Sequence, residues 1–375
     1  MNAPRERLLA LDAMRGLVMV LMAIDHASEE FNAGRLMTDT VLFYKAGTVL
    51  DPAQFFTRWL THLCAPTFVF LAGTALAISA ASRASTDSPG QIDRHIATRG
   101  VVLIVIEFAW MSWVMMGPGK YLFQVMWALG SSLLLMVGLR RLPPVALLAL
   151  GLSIVLGGEL LVGLGLSLGW NQHLVPAALL TAGRFDGVVA AYPTLSWLAL
   201  MCLGWAFGEQ LQRWKRDGAP VAARAMRLLL VAGVSALALF AVVRGLNGYG
   251  NMQLVRDDAS WVQWLHVSKY PPSLTYDALE LGLMALLLAG FFALGDRLQA
   301  IGFKPLLTLG KTALFFYVLH IHVMALAAWA FGIEKAFGVA SSYVGAIAIV
   351  VLLLPLCAWW GRFKAAHPRS IAQYI

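Results

Sequence analysis

Ten apolar runs, each long enough to cross a bilayer, constrain this chain more than any other feature. The hydrocarbon core of a membrane takes about 20 apolar residues in a helix. The hydropathy pattern predicts spans at roughly 8–27, 55–81, 96–116, 121–139, 143–167, 192–212, 224–246, 272–294, 306–331 and 341–362. Composition agrees: 59% of the 375 residues are hydrophobic and 13% charged, against roughly 25% charged in soluble globular chains. The expected fold is all-α, a polytopic membrane bundle of about ten transmembrane helices, with one domain over residues 1–375.

Lys and Arg set the direction. With the N-terminus inside, the inner ends and loops hold eighteen of them, including Arg5, Arg7, Arg83, Arg140, Arg141, Arg213, Arg362 and Arg369, and the outer side holds nine. Arg15 is set apart as intramembrane. The bias predicts that both termini are cytoplasmic. The net charge of +8 therefore belongs to topology, and no nucleic-acid partner is expected. Cys64, Cys202 and Cys357 lie in apolar runs without a CxxC spacing, as buried small hydrophobes do, so no metal is expected. Arg5 and Arg7 ahead of the first run mimic a signal peptide. Asp12 and Arg15 interrupt that run, however, so it reads as a retained first helix.

Ionisable residues inside these spans need a reason, because their burial is costly. In "MRGLVMVLMAIDHASEEF", Arg15 lies near the inner end of the first helix, with Asp25 and His26 near the outer end. Arg15 and His26 are eleven residues apart, close to three turns, so they share a face with ~16 Å between them. An ion pair of Arg15 with Asp12, three residues back, is the structural alternative. In the second span, Arg58 and His62 sit at i, i+4. Pro66 removes the N–H that would have bonded the carbonyl of His62, and the freed carbonyl needs a buried polar partner or a water-lined cavity. In "GKTALFFYVLHIHVMAL", Tyr317 and His320 share a face while His322 points away. "HVSKYPPSLTYDALELG" carries Lys269 and Tyr270, and places Ser273, Asp277 and Glu280 along one helix face, available to orient a histidine. Glu107 and Glu159 are further buried carboxylates, expected only to pair. A histidine beside a carboxylate is suited to deprotonating a hydroxyl or amine nucleophile. A second His or Arg can then stabilise the oxyanion that forms.

These residues resemble a known pattern. "LDAMRGLVMVLMAIDH" is similar to the first helix of the transmembrane acyltransferase superfamily, with Asp12, Arg15 and His26 in register. With "HLCAPTFVFLAG", "SKYPPSL" and "GKTALFFYVLHIHV", the chain resembles a bacterial branch of the heparan-alpha-glucosaminide N-acetyltransferase group from end to end. The resemblance implies a membrane acyltransferase that moves an acetyl (acyl) group from cytoplasmic acetyl-CoA, or another acyl-CoA, to a glycan or amino-sugar-type acceptor at the outer face. It implies a catalytic role for His26, with Asp25 beside it, and donor binding by Arg15 with Asp12. In the lysosomal heparan enzyme an asparagine stands at the position of His26, and the catalytic histidine lies in the loop before the second helix. The loop here, 28–54, has no histidine, which makes His62 the candidate substitute. His320 matches a histidine after a tyrosine in the penultimate helix. Arg58, Lys269, Tyr270, Asp277 and Tyr317 are the candidate cavity residues. Direct transfer and an acetyl-histidine relay both stay open, as does association of copies of the chain. Membrane lipid is the expected surrounding, in a bacterial cytoplasmic (inner) membrane.

Two other classes compete. A transporter or flippase for a small polar or lipid-linked solute would use the buried Asp, Glu and His as proton-coupling groups, although the sequence shows no inverted repeat. A b-type cytochrome would need His26, His62 or His320 as facing axial ligands.

Overall fold

Apolar helices become stable spans only when each end is given partners, and several ends here are capped locally. The computed structural model describes residues 8–367 and 370–374. Arg5, Arg7 and Arg369, counted above to the inner side, lie outside the described residues. The helices are α1 (Leu9–Phe31), α2 (Pro52–Leu60), α3 (Cys64–Arg83), α4 (Pro89–Ile106), α5 (Ser112–Met116), α6 (Val125–Leu139), α7 (Pro144–Ser167), the single turn α8 (Leu174–Pro176), α9 (Thr194–Arg216), α10 (Val221–Leu246), α11 (Trp261–Leu265), α12 (Leu274–Leu294), α13 (Lys304–Lys311), α14 (Ala313–Phe331) and α15 (Ala340–Ala366). Asp51 caps α2, its side chain accepting from the Gln54 N–H, with Pro52 in the first turn. Ser88 and Gln91 form a capping box at the start of α4.

Each expected span overlaps a helix, although the one at 121–139 begins on a short strand. Among the described residues, seven helical segments are long and apolar enough to cross a membrane: Pro52–Arg83, Pro89–Met116, Pro144–Ser167, Val221–Leu246, Leu274–Gln299, Ala313–Phe331 and Ala340–Ala366. The chain is an integral membrane protein. Three expected spans fall short of that measure. Helix α1 carries Asp12, Arg15 and Asp25 in its body, α6 has 15 residues, and the apolar stretch of α9 ends at Glu209. The span expected at 306–331 is divided at Thr312 between α13 and α14.

The all-α expectation meets one addition. Three short strands, β1 (Tyr121–Phe123), β2 (Gly183–Phe185) and β3 (Val188–Ala190), pair in the order β1-β3-β2. Strand β3 runs parallel to β1 and antiparallel to β2. Glu107 has a structural task nearby. Its Oε2 accepts the N–H groups of Met126 at 2.8 Å and Trp127 at 3.1 Å, in the first turn of α6, where a carboxylate suits the helix dipole. Glu159 Oε2 accepts the Gly250 N–H at 2.5 Å.

Contacts divide the chain into two compact units that interleave in sequence. The first comprises Met1–Arg35, Pro220–Val234 and Leu283–Ile375, and the second Leu36–Ala219 and Ser235–Gly282. In the first, α1 packs on α13, α14 and α15. A Cβ at Gly16 would overlap the carbonyl oxygen of Leu306, and one at Gly310 that of Asp12, so both glycines let the backbones of α1 and α13 meet. In the second unit α3 packs on α9, α4 on α6, and α7 on α9. Gly204 lies against the Phe70 carbonyl oxygen, and Thr74 Oγ1 donates to the Gly204 carbonyl at 3.0 Å.

The same unit builds its loop 247–271 around one side chain. Arg244, fully buried, donates to the carbonyls of Trp264, Leu254, Gln263 and His266 and to Asn251 Oδ1, at 2.5–3.2 Å. Arg256 lies over the Trp264 ring at 4.3 Å.

Candidate active site

Within the first unit, α1 presents Arg15 and His26 on one stripe. Arg15 Nη1 donates to Asp12 Oδ1 at 3.1 Å, the i, i+3 pair that the sequence offered as the structural alternative. His26 Nδ1 lies 2.7 Å from His320 Nε2, the rings stacked with centroids 4.8 Å apart. Helix α14 delivers that partner, since Tyr317 and His320 are both buried on its inward face. Tyr317 turns its ring edge to His26 at 6.1 Å. The second nitrogen of His320, Nδ1, lies 2.9 Å from the carbonyl oxygen of Phe316, one turn back. The Phe316 ring stacks on His320 at 4.8 Å. His322 turns elsewhere, its Nδ1 donating to the Val318 carbonyl at 2.7 Å. The direct His26–His320 hydrogen bond leaves no room for a haem iron between these two rings.

Asp25 is held by an arginine. Its Oδ1 accepts Arg35 Nη1 at 2.8 Å, and its carbonyl accepts the same nitrogen at 2.7 Å. Arg35 Nε pairs with Glu29 at 2.5 Å. Asp25 is thus part of a clamp on the last turns of α1.

The second unit holds another cluster, centred on Asp39. Its Oδ2 accepts Arg58 Nε at 2.7 Å, pairs with Arg58 Nη2, and lies 3.3 Å from His62 Nε2. Arg58 Nη2 donates on to the Tyr270 hydroxyl at 3.4 Å. The Lys269 N–H donates to the Asp39 carbonyl at 2.8 Å, and its ammonium stands 5.4 Å from the Tyr270 ring centre. Asp39, Arg58, His62 and Lys269 are all buried. Burial alone would raise the Asp39 carboxyl, but Arg58, then His62 and Lys269, outweigh it and hold it well below the usual carboxylate range.

The local fold follows from Pro66. The helix that runs from Pro52 to Arg83 tightens to a 3-10 turn at Thr61–Leu63. The carbonyl of His62, which Pro66 cannot bond, accepts the Tyr276 hydroxyl at 3.0 Å, the buried polar partner expected from the sequence. His62 Nδ1 is buried with no hydrogen-bond partner among the described residues.

On α12, Asp277 and Glu280 are buried, each with one carboxylate oxygen lacking a hydrogen bond among the described residues. Ser273 does not orient a histidine; its Oγ accepts the Tyr276 N–H at 3.0 Å and caps the turn. Among the described residues no group of three or more His, Cys, Asp or Glu is placed to hold a metal ion.

Sequence reasoning missed Asp39 and Tyr276. Asp39 stands in a connection with no periodicity, between Thr38 and Thr40. The signal that could have found it was Arg58, since a guanidinium expected inside a membrane requires an anion nearby.

The family model for the heparan-alpha-glucosaminide N-acetyltransferase catalytic region matches residues 7–244, more than half of the chain. The chain belongs to this family. It is a membrane-bound acyltransferase. The matched region of this heparan-alpha-glucosaminide N-acetyltransferase family member holds Arg15, His26, Asp39, Arg58 and His62. Lys269, Tyr270, Asp277, Tyr317 and His320 lie beyond it. No curated protein matches the chain.

Proposed function

We propose that this acyltransferase moves an acetyl or longer acyl group from cytoplasmic acyl-CoA to a glycan or amino-sugar-type acceptor at the outer face of a bacterial inner membrane, which it crosses ten times with both termini inside. The observation that carries this reading is α1 itself, with a cation at one end of a stripe and a hydrogen-bonded histidine at the other. Arg15 holds the phosphates of the donor by charge-assisted hydrogen bonds. The acyl arm reaches along ~16 Å of helix towards His26. His26 takes the proton from the acceptor O–H or N–H as that atom attacks the acyl carbon. The carbon–sulfur bond then breaks, and the CoA thiolate recovers the proton from the imidazolium. Products are the acylated acceptor and free CoA thiol.

A second reading assigns the base to His62, favoured by its 3.3 Å approach to the Asp39 carboxylate. One assay separates them. Purified wild type, His26→Ala and His62→Ala are incubated with radiolabelled acetyl-CoA and a panel of amino sugars. His26→Ala is expected to lose about 10²–10⁴-fold in turnover, the range of a general base, with its thermal midpoint close to that of the parent. Full turnover in folded His26→Ala moves the assignment to His62 and Asp39. No labelled product from wild type with any acceptor sinks the amino-sugar reading.

A further inference from the structure

We propose that His320 is a positioning residue: it fixes which nitrogen of His26 carries the proton, so that Nε2 of His26 is the base. This rests on the assignment of His26 as base, and the closing test reads the tautomer separately from the reaction.

The oxygen of Phe316 can only accept a hydrogen bond, so the His320 nitrogen 2.9 Å from it, Nδ1, must carry a hydrogen. His320 is fully buried beneath the Phe316 ring, and its own helix brings no carboxylate to it. A second proton would bury an uncompensated charge, so the ring is held neutral. Its Nε2 is then a lone pair. The His26 nitrogen 2.7 Å away, Nδ1, must therefore be the donor. A neutral imidazole has one N–H, so the lone pair of His26 is on Nε2. The direction of the whole chain, from His26 through His320 to Phe316, is set by a main-chain oxygen that no side-chain substitution removes.

The arrangement does for His26 what a carboxylate does for a histidine in a soluble hydrolase, by other means. When Nε2 of His26 takes the acceptor's proton, the charge is shared with Nδ1–H, which still donates to His320. A carboxylate in that place would stabilise the imidazolium more strongly. It would also have to be kept ionised at a fully buried position before any substrate arrived. A neutral ring avoids that cost and still specifies the tautomer. The nearby carboxylate that could have served, Asp25, is engaged by Arg35.

The test uses full-length protein in detergent with ¹⁵N-labelled histidine. Ring-nitrogen shifts distinguish protonated from lone-pair nitrogens, and the His26 signals are assigned by their loss in His26→Gln. Wild type is expected to show His26 with Nδ1 protonated and Nε2 unprotonated. His320→Phe keeps the ring volume but offers no acceptor, so His26 shifts towards the opposite tautomer and turnover falls about 100-fold, within the range of a general base, with KM for acyl-CoA unchanged. His320→Gln can place an amide oxygen where Nε2 stood and should restore both the wild-type signature and turnover to within about tenfold.

A wild-type His26 protonated on Nε2 overturns the proposal, as does a His320→Phe protein with an unchanged His26 signature and full turnover. If wild type transfers no acyl group, the assigned reaction fails while the nitrogen shifts still decide the tautomer. If His320→Phe does not fold, wild type and His320→Gln decide it.

Discussion

His266 shows what burial does to an imidazole outside the apolar spans. Its Nε2 donates to the Thr38 carbonyl at 2.8 Å, while Nδ1 is buried without a partner among the described residues. Tyr44 and Phe55 turn ring edges to it, and its own carbonyl accepts Arg244. Burial pushes its pKa below the ordinary 6.5; the bond to Thr38 and the nearby Asp39 and Asp257 oppose this, and Arg244 adds to it. On acidification the unfolded chain therefore binds the proton first. The stability this residue contributes is complete above pH 6.5 and declines as pH falls from 6.5 towards the lower folded value. The thermal midpoint of wild type should thus fall faster between pH 7 and 5 than that of His266→Gln, whose amide keeps a donor for Thr38. Parallel pH curves for the two proteins would remove His266 from acid sensitivity. At this scale the sequence was legible wherever an ionisable group interrupts an apolar run: Arg15, His26, Arg58, His62 and His320 stand out for that reason. Their pairings were less so. Asp39 and Arg35 are polar residues in a polar connection, and only folding brings them to Arg58 and Asp25.

Helix pairs in this chain approach through glycine, and the cost of filling those contacts separates them from glycines that merely occur in apolar runs. A Cβ on Gly204 of α9 would overlap the Phe70 carbonyl oxygen of α3, whereas Gly157 of α7 faces open space. Gly204→Ala should destabilise by about 1–3 kcal/mol, as overpacking does, and Gly157→Ala should be neutral or slightly stabilising, since Ala is the better helix former. Thermal midpoints in detergent check both, and equal midpoints would mean that α3 and α9 can part at no cost. Every helix that carries an apolar run was legible, because hydropathy reads burial along one segment. The 3-10 turn at Thr61–Leu63, the π-turns at Glu107–Met111 and Ala177–Thr181 and the three short strands were not. Pro66 announced a strained turn without its form, and strands of three residues pair across connections that hydropathy cannot see.

At the scale of the whole molecule, sidedness decides the donor path. If acyl-CoA approaches from the cytoplasm beside Arg15, Arg15→Ala should weaken CoA binding about ten- to hundredfold, the worth of ~1.5–3 kcal/mol for hydrogen bonds to a charged group. Attraction by the basic connections at 82–95 and 213–227 should fade with salt, since exposed charges are screened over ~8–10 Å at physiological strength. Titration of CoA against wild type and Arg15→Ala, with inverted and right-side-out vesicles, checks both. Binding only from the outer side, or unchanged binding by the variant, would overturn the donor path. The partners of α1 also impose an order in time. His26 and His320 are 294 positions apart, and α1 packs on α13, α14 and α15, the last helices to be made. At about 5–20 residues per second of synthesis, the first helix waits on the order of 15–60 s for the surface it belongs to. Through that interval Asp12, Arg15, Asp25 and His26 have none of those neighbours. The nascent chain must therefore keep this charge-bearing helix sheltered, in the insertion machinery or at the bilayer edge, until its own C-terminal end arrives to receive it.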